Sequence, residues 1–457
     1  MYLNTASYAP EPPPYTSAMA VLRRVLGVVM VAASLLPAIE REPVEVFQGR
    51  RRALTAKHPN GVILLFGYGE DEAQSARSPF RQENNFYYLS GWNEPGAAMV
   101  LFADPSTHPA YREVLFLPER NPSQEQWSGR RTTADDPNLK HKTGFSEILA
   151  VTELDGVLRE ALELHGRVYS LLPRRHASHA QQPEPDRTAR IERLAPGYPK
   201  ADIRGALESM RTVKSAGEIR LIQRAVDATI AAHLAAWKRL RPGLWEYQVT
   251  ATMIGTMMDR GCLQPAYAPI VGSGLNGTIL HYASNNGRLQ PGQFVLIDVG
   301  GEYGHYAADI TRSAPVDGAF SARQRQIYEI VLGAQKAAIA AVKPGMTLSG
   351  QGPSSLAQVV REYLASRGND HNGASFSEYL SHALGHHVGL EVHDPGGDHT
   401  PLEPGMVITI EPGLYLPQEK LGVRIEDMLL VTADGARVLS AGLPREVDDI
   451  ERIMQTP

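Results

Sequence analysis

Cysteine is nearly missing from this chain. One residue, Cys262, among 457 excludes an intrachain disulfide framework and any metal cluster built on cysteine alone. Neither sign of charge dominates. The 45 Lys and Arg stand against 50 Asp and Glu, a net −5, so there is no basic footprint for nucleic acid. Charged residues are too sparse, at 21%, and apolar ones too frequent, at 43%, for a largely disordered chain. No apolar run reaches the roughly 20 residues of a membrane-spanning helix. Helix breakers are plentiful, and 41 Gly with 33 Pro argue against an all-helical bundle. The length predicts two or three domains with sizeable cores.

The chain starts with a Pro-rich stretch, residues 1–18. Arg23-Arg24 then precede an apolar run from Val25 to Ile39, with Ala38 before Glu40-Arg41-Glu42. Two arginines, a short apolar stretch and a small residue in this order predict a secretory signal peptide and export to the periplasm or the medium. Met19 is then an alternative start. A buried helix in a cytoplasmic protein and an uncleaved anchor are the competing readings. Residues 1–40 are thus read as extension plus signal.

Residues 41–195 alternate apolar runs and turns. Gly61–Gly67, Val100–Phe102 and Val114–Leu117 read as buried strands and Val157–Leu164 as a helix, together an α/β N-terminal domain. The broken stretch ending Ala195-Pro196-Gly197-Tyr198-Pro199 marks its boundary. In residues 200–440 an order of elements occurs twice. Ser215-x-x-Glu218 starts a helix that stops at Pro242-Gly243, a helix from Trp245 to Asp259 follows, and then a hairpin around Tyr303-Gly304. Ser321-x-x-Gln324 starts the second round, which ends in a hairpin from Val407 to Val431. This predicts an α+β domain with pseudo-twofold halves. Residues 441–457 read as a tail.

The hairpins carry carboxylates inside apolar strands. Asp298 and Asp309 lie equidistant from Tyr303-Gly304, and Glu411 and Glu426 from Gln418-Glu419. Such pairs are expected to face each other across each hairpin. Like charges so placed destabilise a sheet unless something neutralises them. Two pairs converging on one point suit two divalent cations roughly 3.5–4 Å apart. Of 15 histidines, five crowd into 382–399: His382, His386, His387, His393 and His399. Gly385 and Gly389 beside them allow close backbone approach. His281 is a further candidate.

These residues resemble the aminopeptidase P and prolidase family of metallopeptidases. The resemblance lies in Leu296–Gly300, Ala308–Arg312, Ser381–His386, Glu391–Asp394, Thr409–Tyr415 and Val423–Asp427, and in Asn85–Pro95 of the first half. It covers residues 44–440 and implies a pita-bread catalytic domain behind an aminopeptidase P-like N-terminal domain. It further implies two metal ions, most often manganese, held by Asp298, Asp309, His386, Glu411 and Glu426. Glu411 is then the proton acceptor for an attacking hydroxide that bridges the metals. His393 and His281 become catalytic, and His382, Arg424 and Tyr415 bind substrate. The implied activity removes the N-terminal residue of peptides with proline second, and an Xaa-Pro dipeptidase is the alternative. A non-enzymatic binding scaffold is disfavoured, since such relatives lose metal ligands. The resemblance also implies a homodimer or homotetramer.

Two departures stand out. Leu275 replaces a family Glu in Ser273-Gly274-Leu275-Asn276-Gly277, and Pro395–His399 holds no Arg or Lys. Other signals fail. Gly272-x-Gly274-x-x-Gly277 opens onto no helix start, so it is not a dinucleotide site. His382-x-x-x-His386 has Ala383 where a zinc protease needs Glu. Cys262 reads as an inert buried thiol, and Arg50-Arg51-Arg52 as the solvated face of a helix.

Overall fold

The apolar runs of the first half become the centre of a mixed sheet. The structure is a computed structural model that describes residues 40–70, 72, 80–102, 113–173, 185–370 and 372–456. The expected signal peptide lies outside them. The strands are β1 (Val62–Phe66), β2 (Ala98–Phe102), β3 (Glu113–Leu117), β4 (Glu147–Ala150), β5 (Val168–Ser170) and β6 (Lys200–Asp202), in the order β4-β3-β2-β1-β5-β6. Every residue of β1 and β2 is buried, because both faces are covered. The helix Leu154–His165 packs Leu158, Ala161 and Leu162 into one core with Val62, Leu64 and Val100.

Two expectations change here. The sheet runs past residue 195, since β6 pairs in parallel with β5. Lys-Ala-Asp is too short and too polar to read as a strand, so only pairing shows it. Nor are Arg50 and Arg51 solvated. Arg50 lies 4.0 Å over the Tyr88 ring and pairs with Glu218 at 3.1 Å. Arg51, 1% exposed, pairs with Glu113 and donates to the carbonyls of Leu89 and Gly144. Only Arg52 faces water. Carbonyls left open at the end of the helix Asn84–Ser90 draw these guanidiniums inward. That helix is the Asn85–Pro95 motif, and it ties the two domains. Tyr88 Oη donates to Met210 O, and Arg211 donates to Asn85 Oδ1.

The helix Ala216–Arg239 starts with the expected capping box, as does Ala322–Ala341. Each packs against the next helix, Glu246–Met258 and Leu356–Ala365 respectively. The strands are β7 (Gln264–Pro265), β8 (Ile270–Ser273), β9 (Phe294–Asp298), β10 (Gly301–Tyr303), β11 (Tyr306–Ala307) and β12 (Thr311–Pro315) in the first half. The second half has β13 (Val407–Ile410), β14 (Gly413–Leu416), β15 (Leu421–Arg424), β16 (Asp427–Val431) and β17 (Ala436–Val438). Outer ladders β12-β9-β8 and β13-β16-β17 each carry an inner hairpin, β10-β11 and β14-β15. Helix, helix and hairpin thus occur twice, as the pita-bread fold requires. His233, fully buried in the long helix, donates from Nε2 to the carbonyls of Ile310 (3.1 Å) and Val299 (3.3 Å), beside both aspartates. Cys262 is buried as expected, and burial pushes its thiol up to about 12.

Residues 441–457 are not a tail. The helix Val447–Gln455 buries Val447 and Ile450 against Ala216–Arg239, and Arg325 pairs with Asp448 and Glu451. Val447, Ile450 and Met454 stand at i, i+3 and i+7, a helical period that the reading of this segment as a tail passed over. No helix among the described residues is long and apolar enough to cross a membrane.

Candidate metal centre

Four carboxylates arrive where the ladders end. Asp298 closes β9, opposite Thr311 on β12 and Ile270 on β8. It does not face Asp309, as the symmetric count predicted. The turn is Gly304-His305, both at positive φ (55° and 73°), which moves every pairing by one residue on each strand. Asp309 therefore sits two residues before the partner of Asp298, on the turn side, in the gap between β11 and β12. The second pair keeps the expected symmetry. Gly413 faces Arg424 and Ile410 faces Asp427, so Glu411 and Glu426 occupy matching breaks between the strands.

His386 reaches them from a separate loop. Its N–H donates to Thr409 Oγ1 at 3.0 Å, and its carbonyl accepts the Thr409 N–H at 2.9 Å. Gly385 makes this possible, because a Cβ there would lie 2.1 Å from Thr409 O. The His386 Nδ1 donates to the His387 carbonyl at 3.1 Å. That turns Nε2 toward Asp309 Oδ2 and Glu411 Oε1, 3.4 Å from each. Ligand atoms of Asp309, His386 and Glu426 all lie within 4.8 Å of one another.

Tyr267 joins the remaining carboxylate to this group. Its Oη stands 2.6 Å from Asp298 Oδ1 and 2.6 Å from Asp309 Oδ1. Sequence reading missed it, for a tyrosine between alanines in an irregular stretch carries no period or motif. It also missed the role of Thr311, which donates to Glu426 Oε2 at 2.7 Å. On the other side runs a chain of polar groups. Arg424 donates to Asp298 Oδ2 at 2.5 Å and to Tyr415 Oη at 2.8 Å. The His382 Nδ1 donates to the Ala383 carbonyl at 2.7 Å, so its Nε2 accepts from Tyr415 Oη at 2.9 Å.

The four acids, His386, Tyr267, His382 and Arg424 line one cavity of about 500 Å³, together with His281 and His393, while Thr311 and Tyr415 stand behind its wall. The ring of His393 stands edge-on to that of His386, 4.3 Å between centroids. Alanines, Ile270, Leu280 and Val392 form its apolar wall. His387 and His399 take no part. The first is buried with neither ring nitrogen bonded, and the second is exposed.

Residues 220–433 match the sequence model of metallopeptidase family M24, and residues 47–169 that of the aminopeptidase P N-terminal domain. An Xaa-Pro aminopeptidase of Haemophilus influenzae is 35% identical over 435 residues, 90% of this chain and 97% of that protein. The chain belongs to metallopeptidase family M24. Within it, the Escherichia coli Xaa-Pro aminopeptidase is 33% identical over 89% of this chain and 97% of its own. The solved structure of E. coli aminopeptidase P with the inhibitor Pro-Leu superposes with a TM-score of 0.77 at 33% identity, covering 91% of this chain and 99% of that one.

The acids of this M24 metallopeptidase suit a cationic group. Buried Glu426 Oε1 has no hydrogen-bond partner. The single Tyr267 hydroxyl hydrogen serves only one of its two close carboxylates. Burial pushes Glu411 up to about 7, and burial with Asp309 and Glu411 nearby lifts Glu426 well above the usual carboxylate range. Burial also raises Asp309. Burial opposes charge on His386, yet Asp309 and Glu411 hold it up to about 9. Without metal the cluster thus retains protons. Four carboxylates and one imidazole fit oxygen-preferring divalent cations.

Proposed function

We propose that the protein is an Xaa-Pro aminopeptidase. It removes one residue from the N-terminus of peptides with proline second, using two divalent metal ions held by Asp298, Asp309, His386, Glu411 and Glu426. Manganese is the metal we favour, because carboxylate oxygens and a lone imidazole suit it. The observation that carries the reading is the unpartnered Glu426 Oε1 among buried acids in one cavity. Identity of 33–35% to Xaa-Pro aminopeptidases over nearly the whole of each supports it.

Two such cations would make a bound water acidic and polarise the scissile carbonyl. The rest falls to the chain. Glu411, its carboxyl 3.4 Å from the His386 ring, accepts the proton of the attacking water and returns it to the leaving amine. His393 and His281 face the reacting carbonyl as hydrogen-bond donors. His382 has its Nε2 engaged by Tyr415, and burial holds it near 4, so it stays neutral. Arg424 offsets the acids beside Asp298 and supports the substrate. The apolar wall receives a proline ring, whose tertiary amide offers no N–H to satisfy.

The test is hydrolysis of Ala-Pro-Ala beside Ala-Ala-Ala by stripped protein reloaded with Mn²⁺. Metal-dependent release of alanine from the first alone supports the reading. Cleavage of the dipeptide Ala-Pro only would make the protein a dipeptidase. Self-association into a dimer or tetramer, which the family resemblance implies, belongs to the same proposal, and sedimentation tests it. Export rests on Arg23-Arg24 and the run to Ile39, and N-terminal sequencing of the mature protein checks it.

A further inference from the structure

The loop that carries His281 has no regular structure of its own. Between the one-turn helix Gly274–Thr278 and β9 it forms no ladder, and most of its side chains meet solvent. Leu280 and His281 nevertheless line the cavity. Something outside the loop must set where they stand.

Beneath it lies Glu246, the first residue of the helix Glu246–Met258 and 0% exposed. Its Oε1 accepts the N–H of Ser273 at 2.7 Å, the hydroxyl of Ser273 at 2.9 Å and Asn276 Nδ2 at 3.1 Å. Its Oε2 accepts the N–H of Gly287 at 2.7 Å and faces the Tyr282 hydroxyl at 2.9 Å. The Gly287 carbonyl in turn accepts the Glu246 N–H at 2.9 Å. A Cβ on residue 287 would lie 2.7 Å from Glu246 Oε1, which excludes any side chain there. One carboxylate thus collects the chain before His281, at Ser273 and Asn276, and after it, at Tyr282 and Gly287, and every donor is neutral. Charge-assisted bonds to a single acceptor are stiff, and these flank His281 on both sides.

We propose that Glu246 is a positioning residue that sets His281 at the rim of the cavity. The proposal rests on the peptidase reading, in which His281 contacts substrate. Nothing in the sequence pattern marks Glu246, since an acid in the first turn of a helix is commonplace.

Glu246→Gln keeps the shape and turns an acceptor into a donor. In the metal-loaded protein it should lower kcat/KM on Ala-Pro-Ala roughly 10- to 100-fold, as a small misplacement of a substrate-contacting group does. Metal content should not change. In a His281→Ala background the same change should cost less than about twofold, because the group it positions is gone. Amide hydrogen exchange across residues 274–287 should quicken in Glu246→Gln and stay as in wild type in β9 and β12. Equal losses in both backgrounds, or unaltered exchange in the loop, would overturn the proposal. Should Glu246→Gln fail to fold, Tyr282→Phe removes one hydroxyl of the cluster. It should cost about threefold with the same masking by His281→Ala, and additivity there would overturn the proposal as well. Absence of turnover on every Xaa-Pro peptide would defeat the peptidase reading, while exchange in the loop would still judge the anchor.

Discussion

Glu426 and Asp427 are neighbours in the chain and equally buried, each 1% exposed, yet their surroundings are opposite. Asp427 accepts Arg312 at 2.7 Å and Ser440 at 2.6 Å on one oxygen, and Arg445 at 2.9 Å and Gln335 at 3.0 Å on the other. Glu426 accepts one hydroxyl, from Thr311, and its second oxygen has no partner. The extended chain sends them to opposite sides, Asp427 into a knot of cations behind the sheet and Glu426 into the cavity. A buried acid that serves stability has its lone pairs filled by the protein. One that serves a metal leaves them bare and stays costly until a cation arrives.

Four measurements sharpen or break this contrast. The largest effect is expected on chemistry. Glu411→Gln should lower kcat about 10³-fold with KM little altered, if its carboxylate moves the proton. Elemental analysis should accompany it, since a loss that merely tracks lost metal would leave the proton transfer unsupported. Next comes Asp427→Asn, which strands the fully buried guanidinium of Arg312 and weakens the half-buried Arg445 pair, and should cost about 3 kcal/mol in urea unfolding, with or without metal. Glu426→Gln should do the reverse in metal-free protein, stabilising it near neutral pH by about 1 kcal/mol because the folded state no longer has to take up a proton to bury that carboxyl neutral. Destabilisation there would break the contrast.

The smallest effect is one of pH. Burial raises Glu411 from 4.5 to about 7, so the folded metal-free protein holds that proton more tightly than the unfolded chain. Its contribution is complete below about pH 4.5 and is lost as pH rises through about 7. Metal-free protein should therefore melt lower at pH 8 than at pH 6. Metal-loaded protein should not, because the cations replace those protons.

Much of this was legible before any coordinates. Both capping boxes start the helices expected of them, and the buried strands of the first half fall where continuous apolar runs stood. Motifs such as Thr409–Tyr415 carried the acids into the cavity without knowledge of its shape. The inner turn of the first half was misread because His305 adopts φ 73°, a conformation its identity does not announce. The second inner turn, longer and centred on Gln418-Glu419, kept its symmetry. Contacts between residues distant in sequence left no local trace. The carbonyls that bury Arg51, the acids that meet on Tyr267 and the loop gathered by Glu246 all depend on residues far away in the chain.

Whether the buried acids bind two cations is read directly by titrating chelator-stripped protein with Mn²⁺. Calorimetry in two buffers of different ionisation heat counts both metal and released protons. Two ions should bind per chain, with proton release at pH 6 that shrinks by pH 8. One ion or none, or binding without proton release at pH 6, would contradict this.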